Sequence, residues 1–232
     1  MDSDAYAFFT WAVEKTASLP SYEYKSGVDG TAKVGWVISL PVHAENVVRT
    51  ADIGSGSERT YTYVHTKFGT TENSYTVYSD ASYIYTTQYG GKDRYRKSGW
   101  EFDALSDYRN PFLKRFDRSV IASAGIAKKD GYVQFSISLS EAQFKSYFPE
   151  VRAMLEDVLA QAGADSSSGK YSNVRLIYNV TNDGCVAGIR LSFDMSFKYG
   201  ILNGSIGVTV TSSYTNPGQN FNVTLPDLSA YS

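Results

Sequence analysis

Residues 174–197 read VRLIYNVTNDGCVAGIRLSFDMSF, and this stretch decides the class of fold. Val174, Leu176, Tyr178 and Val180 recur at every second position, as do Ile189, Leu191, Phe193, Met195 and Phe197. Side chains on a strand point to alternate faces, so one apolar set with period two marks a sheet with one face buried. Asn182-Asp183-Gly184 lies between the runs, and Asp-Gly supplies the backbone angles that a tight hairpin turn requires. The stretch is therefore a β-hairpin whose two strands share one buried face.

The same period extends in both directions. Ile206, Val208 and Val210 follow, and Phe221, Val223 and Leu225 form a last run that closes the chain. Upstream, Val133, Phe135, Ile137 and Leu139 predict another strand. From Tyr22 to Lys97 the alternation continues through Tyr22 and Tyr24, Val34, Trp36 and Ile38, Tyr61, Tyr63 and His65, Tyr75 and Val77, Tyr83 and Tyr85, and Arg94 and Arg96. Gly54 to Ser57, Gly69, Ser79-Asp80 and Gly90-Gly91 punctuate these runs as turns.

Helices interrupt the strands in three places. Residues 3 to 18 predict a helix capped by Ser3 or Asp4 and stopped before Pro20, with Tyr6, Phe9 and Val13 on its apolar stripe and Phe8 and Trp11 widening it. Asn110-Pro111 marks a turn, and Pro111 is placed to open a short helix from Phe112 to about Ala122. The strongest local signal follows. Ser140 and Gln143 have capping-box spacing, and Phe144, Tyr147, Phe148, Val151, Met154, Leu155, Val158 and Leu159 trace one helical face. Burying each of those side chains contributes about 1.5–3 kcal/mol before entropy, so this helix is docked. Pro149 predicts a kink or two short helices meeting there. Ala164 to Gly169 reads as a small-residue loop. Helix, meander, helices and meander follow one another without a linker. The expected fold is α+β, a curved antiparallel sheet covered by helices, in a single domain spanning 1–232.

Composition narrows the function classes. The 232 residues carry a net charge of −2, and the nearest basic cluster, Lys92, Arg94, Arg96 and Lys97, has Asp93 in its middle. Nucleic-acid binding domains are usually clearly basic, so no nucleic-acid partner is expected. A chain of this length buries about 70–75% of its unfolded surface and needs no staple. Cys185 is the sole cysteine, which excludes an intramolecular disulfide and fits a reducing cytoplasm or an exported bacterial protein equally. No apolar run approaches the roughly 18–20 residues of a membrane-spanning helix. The start Met1-Asp2-Ser3-Asp4 is acidic and lacks the basic region of a signal peptide. It reads either as a protein made without a signal or as a chain beginning after a removed export segment.

Catalytic and metal motifs are sparse. His43 and His65 lack His, Cys or carboxylate partners at ligand spacing, and there is no HExxH, CxxC, GxSxG or P-loop pattern, so no metal and no cofactor are expected. Asn179, Asn203 and Asn222 head glycosylation-type triplets, which mean nothing in a bacterium. Glu101 and Asp103, beside Trp100 and Phe102, are the one carboxylate pair with the aromatic company a sugar site uses. Tyr contributes 19 residues, which read either as a half-exposed sheet face or as an aromatic-lined groove.

The segment Val77-Tyr78-Ser79-Asp80-Ala81-Ser82-Tyr83-Ile84-Tyr85-Thr86, followed by Arg94-Tyr95-Arg96-Lys97, resembles extracytoplasmic Gram-positive lipoproteins related to the LolA/LppX superfamily. In that family a "Y-x-(D/N)-G-x-x-Y-Y" hairpin precedes a "K-Y-x-K" strand; here Ala81 replaces the turn glycine. The resemblance implies an unclosed half-barrel with helices over its concave face, and an acyl chain or lipoprotein held between sheet and helical lid. It implies contact with a membrane surface only through an anchor outside these residues. Oligomeric state is not fixed by any of these features. The ligand-lining residues expected on this basis are Tyr61, Tyr63, Tyr75, Tyr83 and Tyr85 on strands, with Phe144, Phe148 and Met154 on the lid. Two other functions fit the residues: a partner-binding surface lipoprotein with a filled core, and a carbohydrate-active enzyme using Glu101 and Asp103. The enzyme reading predicts that Glu101→Gln abolishes hydrolysis of a glycoside substrate, and the absence of any hydrolysis by the parent protein would remove it.

Overall fold

A computed structural model of the chain describes residues 3–35, 38–68, 71–87, 91–97, 110–161 and 163–231. Helix α1 (Ser3–Ala17) leads into six strands, β1 (Tyr22–Val34), β2 (Ile38–Ala51), β3 (Arg59–Phe68), β4 (Thr71–Ser79), β5 (Tyr83–Thr86) and β6 (Asp93–Arg96). After α2 (Arg118–Ala122) come β7 (Gly125–Lys129) and β8 (Tyr132–Ser138), then α3 (Glu141–Tyr147) and α4 (Pro149–Gln161). Three long strands follow: β9 (Asp165–Thr181), β10 (Val186–Tyr199) and β11 (Leu202–Tyr214).

All eleven strands belong to one antiparallel sheet in the order β6-β5-β4-β3-β2-β1-β11-β10-β9-β8-β7. The two ends of this order do not pair, so the sheet is an unclosed half-barrel, as the resemblance implies. In each half neighbouring strands follow one another in sequence, with α3 and α4 inserted between β8 and β9, and the halves meet where β1 pairs with β11, Tyr24 opposite Tyr214 through to Val34 opposite Gly204. Even-numbered residues of β1 and β11 share the face that carries the helices; odd-numbered residues share the convex face.

The helices stay where the sequence put them for local reasons. Ser140 Oγ accepts the Gln143 N–H while Gln143 Oε1 accepts the Ser140 N–H, closing the capping box that starts α3. Phe148 ends α3 and Pro149 opens α4, so the proline separates two helices. Phe144, Phe148, Val151, Leu155 and Leu159 are buried along one face, and Phe144 meets Tyr171 and Phe193 of the sheet. Helix α1 sets Phe9 edge-on against Phe135 and Tyr178 at about 5 Å between ring centroids. Its last turn is tied to the sheet through Thr16 Oγ1, which accepts the Val186 N–H at 2.8 Å.

Several expectations need correction. The helix expected from Phe112 forms only over Arg118–Ala122. The Asn110 side chain accepts the Phe112 N–H in a local turn, the Tyr178 hydroxyl donates to the Phe112 carbonyl, and Phe112 and Phe116 are buried as core plugs, so a tertiary contact takes the carbonyl a helix would use. The small-residue segment Asp165–Gly169 is strand, carried along the sheet by pairing of Asp165 with Lys198. The run Phe221–Leu225 is irregular: Val223 is buried, but the segment joins no ladder. Val34 and Ile38 lie on different strands, with Gly35 in a left-handed turn after β1. Trp11, expected on the buried stripe of α1, is 47% exposed.

Trp11 nevertheless fixes one position. Gly184, in the β9–β10 turn, has φ of +81°, and a Cβ placed there would lie 2.0 Å from the Trp11 ring. Lys15 reinforces the same contact by donating to the Asp183 carbonyl. Gly184→Ala is expected to cost about 2–4 kcal/mol, combining left-handed strain with overpacking. Gly54→Ala, at φ +78° with nothing within 4 Å, incurs only the backbone part. Thermal denaturation of the two variants checks the difference, with one transition in each scan expected of a single domain.

Candidate ligand-binding face

The concave face changes character across the sheet. One register row runs Ile137 (β8), Leu176 (β9), Leu191 (β10), Val210 (β11), Val28 (β1), Ala44 (β2), Thr66 (β3) and Asn73 (β4). Ile137, Leu176 and Leu191 are 0% exposed and Val210 2%, whereas Val28 and Ala44 are half-buried and Thr66 is exposed. The helices account for the step: α3 and α4 lie on β9, and α1 on β10.

Side-chain size changes at the same place. Beneath the helices the sheet presents Leu191, Phe193, Met195 and Phe197 from β10. Across the seam β1 and β2 present Ser26, Val28, Gly30, Ala32, Val42, Ala44 and Asn46. Small side chains stand little above the backbone, so the sheet is thinnest beside the rim of the helical layer. Gly30 is the extreme case, with a Cβ there meeting the Gly207 carbonyl at 3.0 Å. The wall beyond is mixed, with Val64 and Tyr75 paired opposite each other and the Ser26 hydroxyl bonded to Asn46 in the same row. This half-open strip of small apolar groups with a polar pair is the candidate binding face.

The expected lining residues are divided between environments. Tyr75 lies on the candidate face, half-buried. Phe144 and Phe148 are on the same side of the sheet, each 0% exposed within the core under α3 and α4. Met154 falls on α4. Tyr61, Tyr63, Tyr83 and Tyr85 occupy the opposite, convex face, because their alternate neighbours Thr60, Thr62, Val64 and Ile84 take the concave one. Glu101 and Asp103, with Trp100 and Phe102, lie outside the described residues. Val28, Ala32, Val42, Ala44 and Val64 were not picked out from sequence. Their signal was present as the alternation of Val28, Gly30, Ala32 and Val34 with Asp29, Thr31 and Lys33.

On the convex face Glu23, Arg49, Tyr61, Tyr78, Tyr85 and Arg94 form a ladder across β1 to β6. The C-terminal segment crosses over it. Thr215 N–H bonds the Glu23 carbonyl, Phe221 N–H bonds Ser21 Oγ, and the Tyr231 ring meets Tyr85 edge-on at 5.6 Å. Tyr85 donates its hydroxyl to Asp80 at 2.9 Å; burial and that bond push its pKa up to about 12. Asp80 also accepts the Ser82 and Tyr83 N–H groups, so the acid of the Tyr-rich hairpin motif closes a turn. Burial pushes the Glu23 carboxyl up, but hydrogen bonds from Arg49 and Thr215 and the Arg49 and Lys25 charges outweigh it and leave it below its ordinary value.

His43 bonds Asp29 at 2.7 Å and His65 bonds Ser74 at 2.9 Å on the same convex face. Among the described residues no group of three or more His, Cys, Asp or Glu is placed to hold a metal ion. Cys185 is buried, and burial with the Asp183 charge pushes its thiol up, away from the reactive thiolate.

Neither a protein-family model nor a curated protein matches the chain. Solved structures similar to it include LprF from Mycobacterium bovis, at 12% identity and a TM-score of 0.42 over 97% of each chain. A DUF1329 family protein from Desulfovibrio piger is similar at 11% identity and a TM-score of 0.28, covering 97% of this chain and 95% of its own. A LolA superfamily protein from Nitrosomonas europaea is similar at 9% identity and 0.25, covering 98% and 97%.

The lowered Glu23 pKa sets a pH dependence. A carboxyl depressed below its unfolded value of 4.5 contributes stability that is present above that value and lost as pH falls through the folded pKa. Melting temperature should therefore fall more steeply below about pH 4.5 in the parent than in Glu23→Gln. Arg49→Met, which leaves the buried carboxylate without its main donor, should cost about 1–3 kcal/mol at neutral pH. Identical acid slopes for parent and Glu23→Gln would exclude this origin.

Proposed function

We propose that this chain is a non-catalytic cell-envelope binding protein that holds an apolar or acyl ligand on the concave face of β1–β4, against the rim of the helical layer. The step in burial along the row from Ile137 to Thr66 carries the reading. Half of the face is filled by the protein's own side chains; the other half leaves Val28, Ala44, Val64 and Tyr75 partly exposed. Removing apolar surface from water is worth about 25 cal/mol per Å², so an acyl chain lying on this strip gains what α3 and α4 supply next door. The small residues of β1 and β2 give such a chain depth, and Ser26 with Asn46 gives a polar group somewhere to bond.

On this reading Tyr75 is the contact residue of the expected set. Phe144 and Phe148 hold the lid from inside, and the convex tyrosines serve the C-terminal segment. The protein acts outside the cytoplasm, attached through a segment beyond these 232 residues, in keeping with the lipoproteins its Tyr-rich hairpin resembles. Complete burial of Phe144 and Phe148 supports a second reading, a partner-binding surface lipoprotein whose core is already full.

Native mass spectrometry with lipid extraction, on protein purified from a lipid-containing host, separates the two. A stoichiometric acyl species should accompany the parent protein and be lost from Val64→Glu, with melting temperature retained. A clean apo mass, with no thermal shift on adding fatty acids or phospholipids, would leave the filled-core protein.

A further inference from the structure

The β10–β11 hairpin ends in Tyr199-Gly200-Ile201-Leu202, with Tyr199 paired to Leu202 and a two-residue turn between them. Ile201 is 98% exposed, Leu202 46% and Tyr199 39%. A turn of this kind asks only for the left-handed angle that Gly200 supplies, at φ +57°. The β9–β10 turn at the opposite end of the sheet meets a like demand with Asn182-Asp183-Gly184. An isoleucine, a leucine and a tyrosine at a solvent-facing tip are therefore not explained by the fold. Gly35 N–H donates to the Asn203 carbonyl at 3.0 Å, and a Cβ placed on that glycine would lie 3.9 Å from Leu202, so the end of β1 braces the hairpin near its tip.

The surrounding charge indicates what meets the tip. Lys198 lies one position behind Tyr199 and bonds Asn203. Lys33 and Lys170 flank one convex-face row, Lys33–Ser205–Ser196–Lys170, a short step back from the tip. Asp165, paired with Lys198, is the acidic residue of this group, and its carboxylate accepts from the Ser167 backbone and hydroxyl. Three lysines thus lie on the convex side of an apolar tip, on a chain whose net charge is −2. Apolar groups that enter the headgroup boundary, a tyrosine at interface level and lysines at the phosphates are the chemistry of an anionic bilayer surface.

We propose that the Tyr199–Leu202 hairpin docks on anionic phospholipid, with Ile201 and Leu202 entering the interface and Lys33, Lys170 and Lys198 contacting headgroups. The docking stands on the hairpin alone and holds whether or not the concave face carries a ligand. It turns the end of the sheet that bears the β1–β2 and β10–β11 turns toward the membrane.

Flotation of the 232-residue chain with vesicles tests this. With phosphatidylcholine containing about one-third phosphatidylglycerol, the protein should float, and Ile201→Asp should reduce the bound fraction at least tenfold. Its melting temperature should not change, since the side chain is solvent-facing. Lys198→Glu should weaken binding by about fivefold or more on these vesicles but have no such effect on pure phosphatidylcholine. Ile201→Asp should leave any co-purified acyl species in native mass spectrometry unaltered, so failure of docking and failure of ligand binding are read separately. Equal flotation of parent and Ile201→Asp, or no flotation of the parent, would overturn the proposal. A dimer in sedimentation that Ile201→Asp abolishes, without flotation, would assign the tip to a second copy instead.

Discussion

Everything in this molecule depends on one ladder, the pairing of β1 with β11. Every other neighbour in the sheet is joined through a sequence-adjacent hairpin or the short excursion of α3 and α4. The β1–β11 ladder instead joins the two ends of the chain, Val28 to Val210 at its centre. Closing so long a loop costs entropy before any contact is gained, which makes this the non-local step of folding. A slip of β1 by one residue would send Val28, Ala32 and Val34 to the convex face together. Gly30 helps hold the register, because only a glycine sits so close to the Gly207 carbonyl without displacing it.

That ladder also sets a filled half-sheet beside an unfilled one. The strands on one side of it carry Phe135, Tyr178, Leu191 and Phe193, which require helices to cover them, and the Ser140 cap and Pro149 break shape α3 and α4 to do so. The strands on the other side carry small residues and alternate threonine and valine. Because both halves belong to one sheet, Val28, Ala32 and Val42 pack at the margin of the core and stay only partly buried. The proposed binding face rests on this mismatch in side-chain size between two halves that share a backbone ladder.

The convex face uses its aromatic residues differently. Tyr61, Tyr78 and Tyr85 stand in line with the Glu23–Arg49 pair, and the C-terminal segment with Tyr231 lies over them. Tyrosine suits such a layer, since its ring buries area while its hydroxyl reaches a partner, as Tyr85 does at Asp80. Tyr85 is in this way occupied with holding Tyr231 of the C-terminal segment.

The sequence by itself determined the strand periods, most of the turns, the cap at Ser140, the break at Pro149 and the need for a helix-covered sheet, because each follows from forces acting within a few residues. It did not determine which alternating set faces inward. In Thr60-Tyr61-Thr62-Tyr63-Val64 both sets are strand formers, and local pattern favours the larger side chains for the interior. Register carried across from β1 through β2 decides otherwise, placing Thr62 and Val64 on the concave face and the tyrosines outside. The short extent of α2 and the irregular course of Phe221 to Leu225 have the same origin. Their backbone and side-chain partners, Tyr178 for the first and Ser21 for the second, come from residues far away in the chain, and only the assembled sheet brings them there.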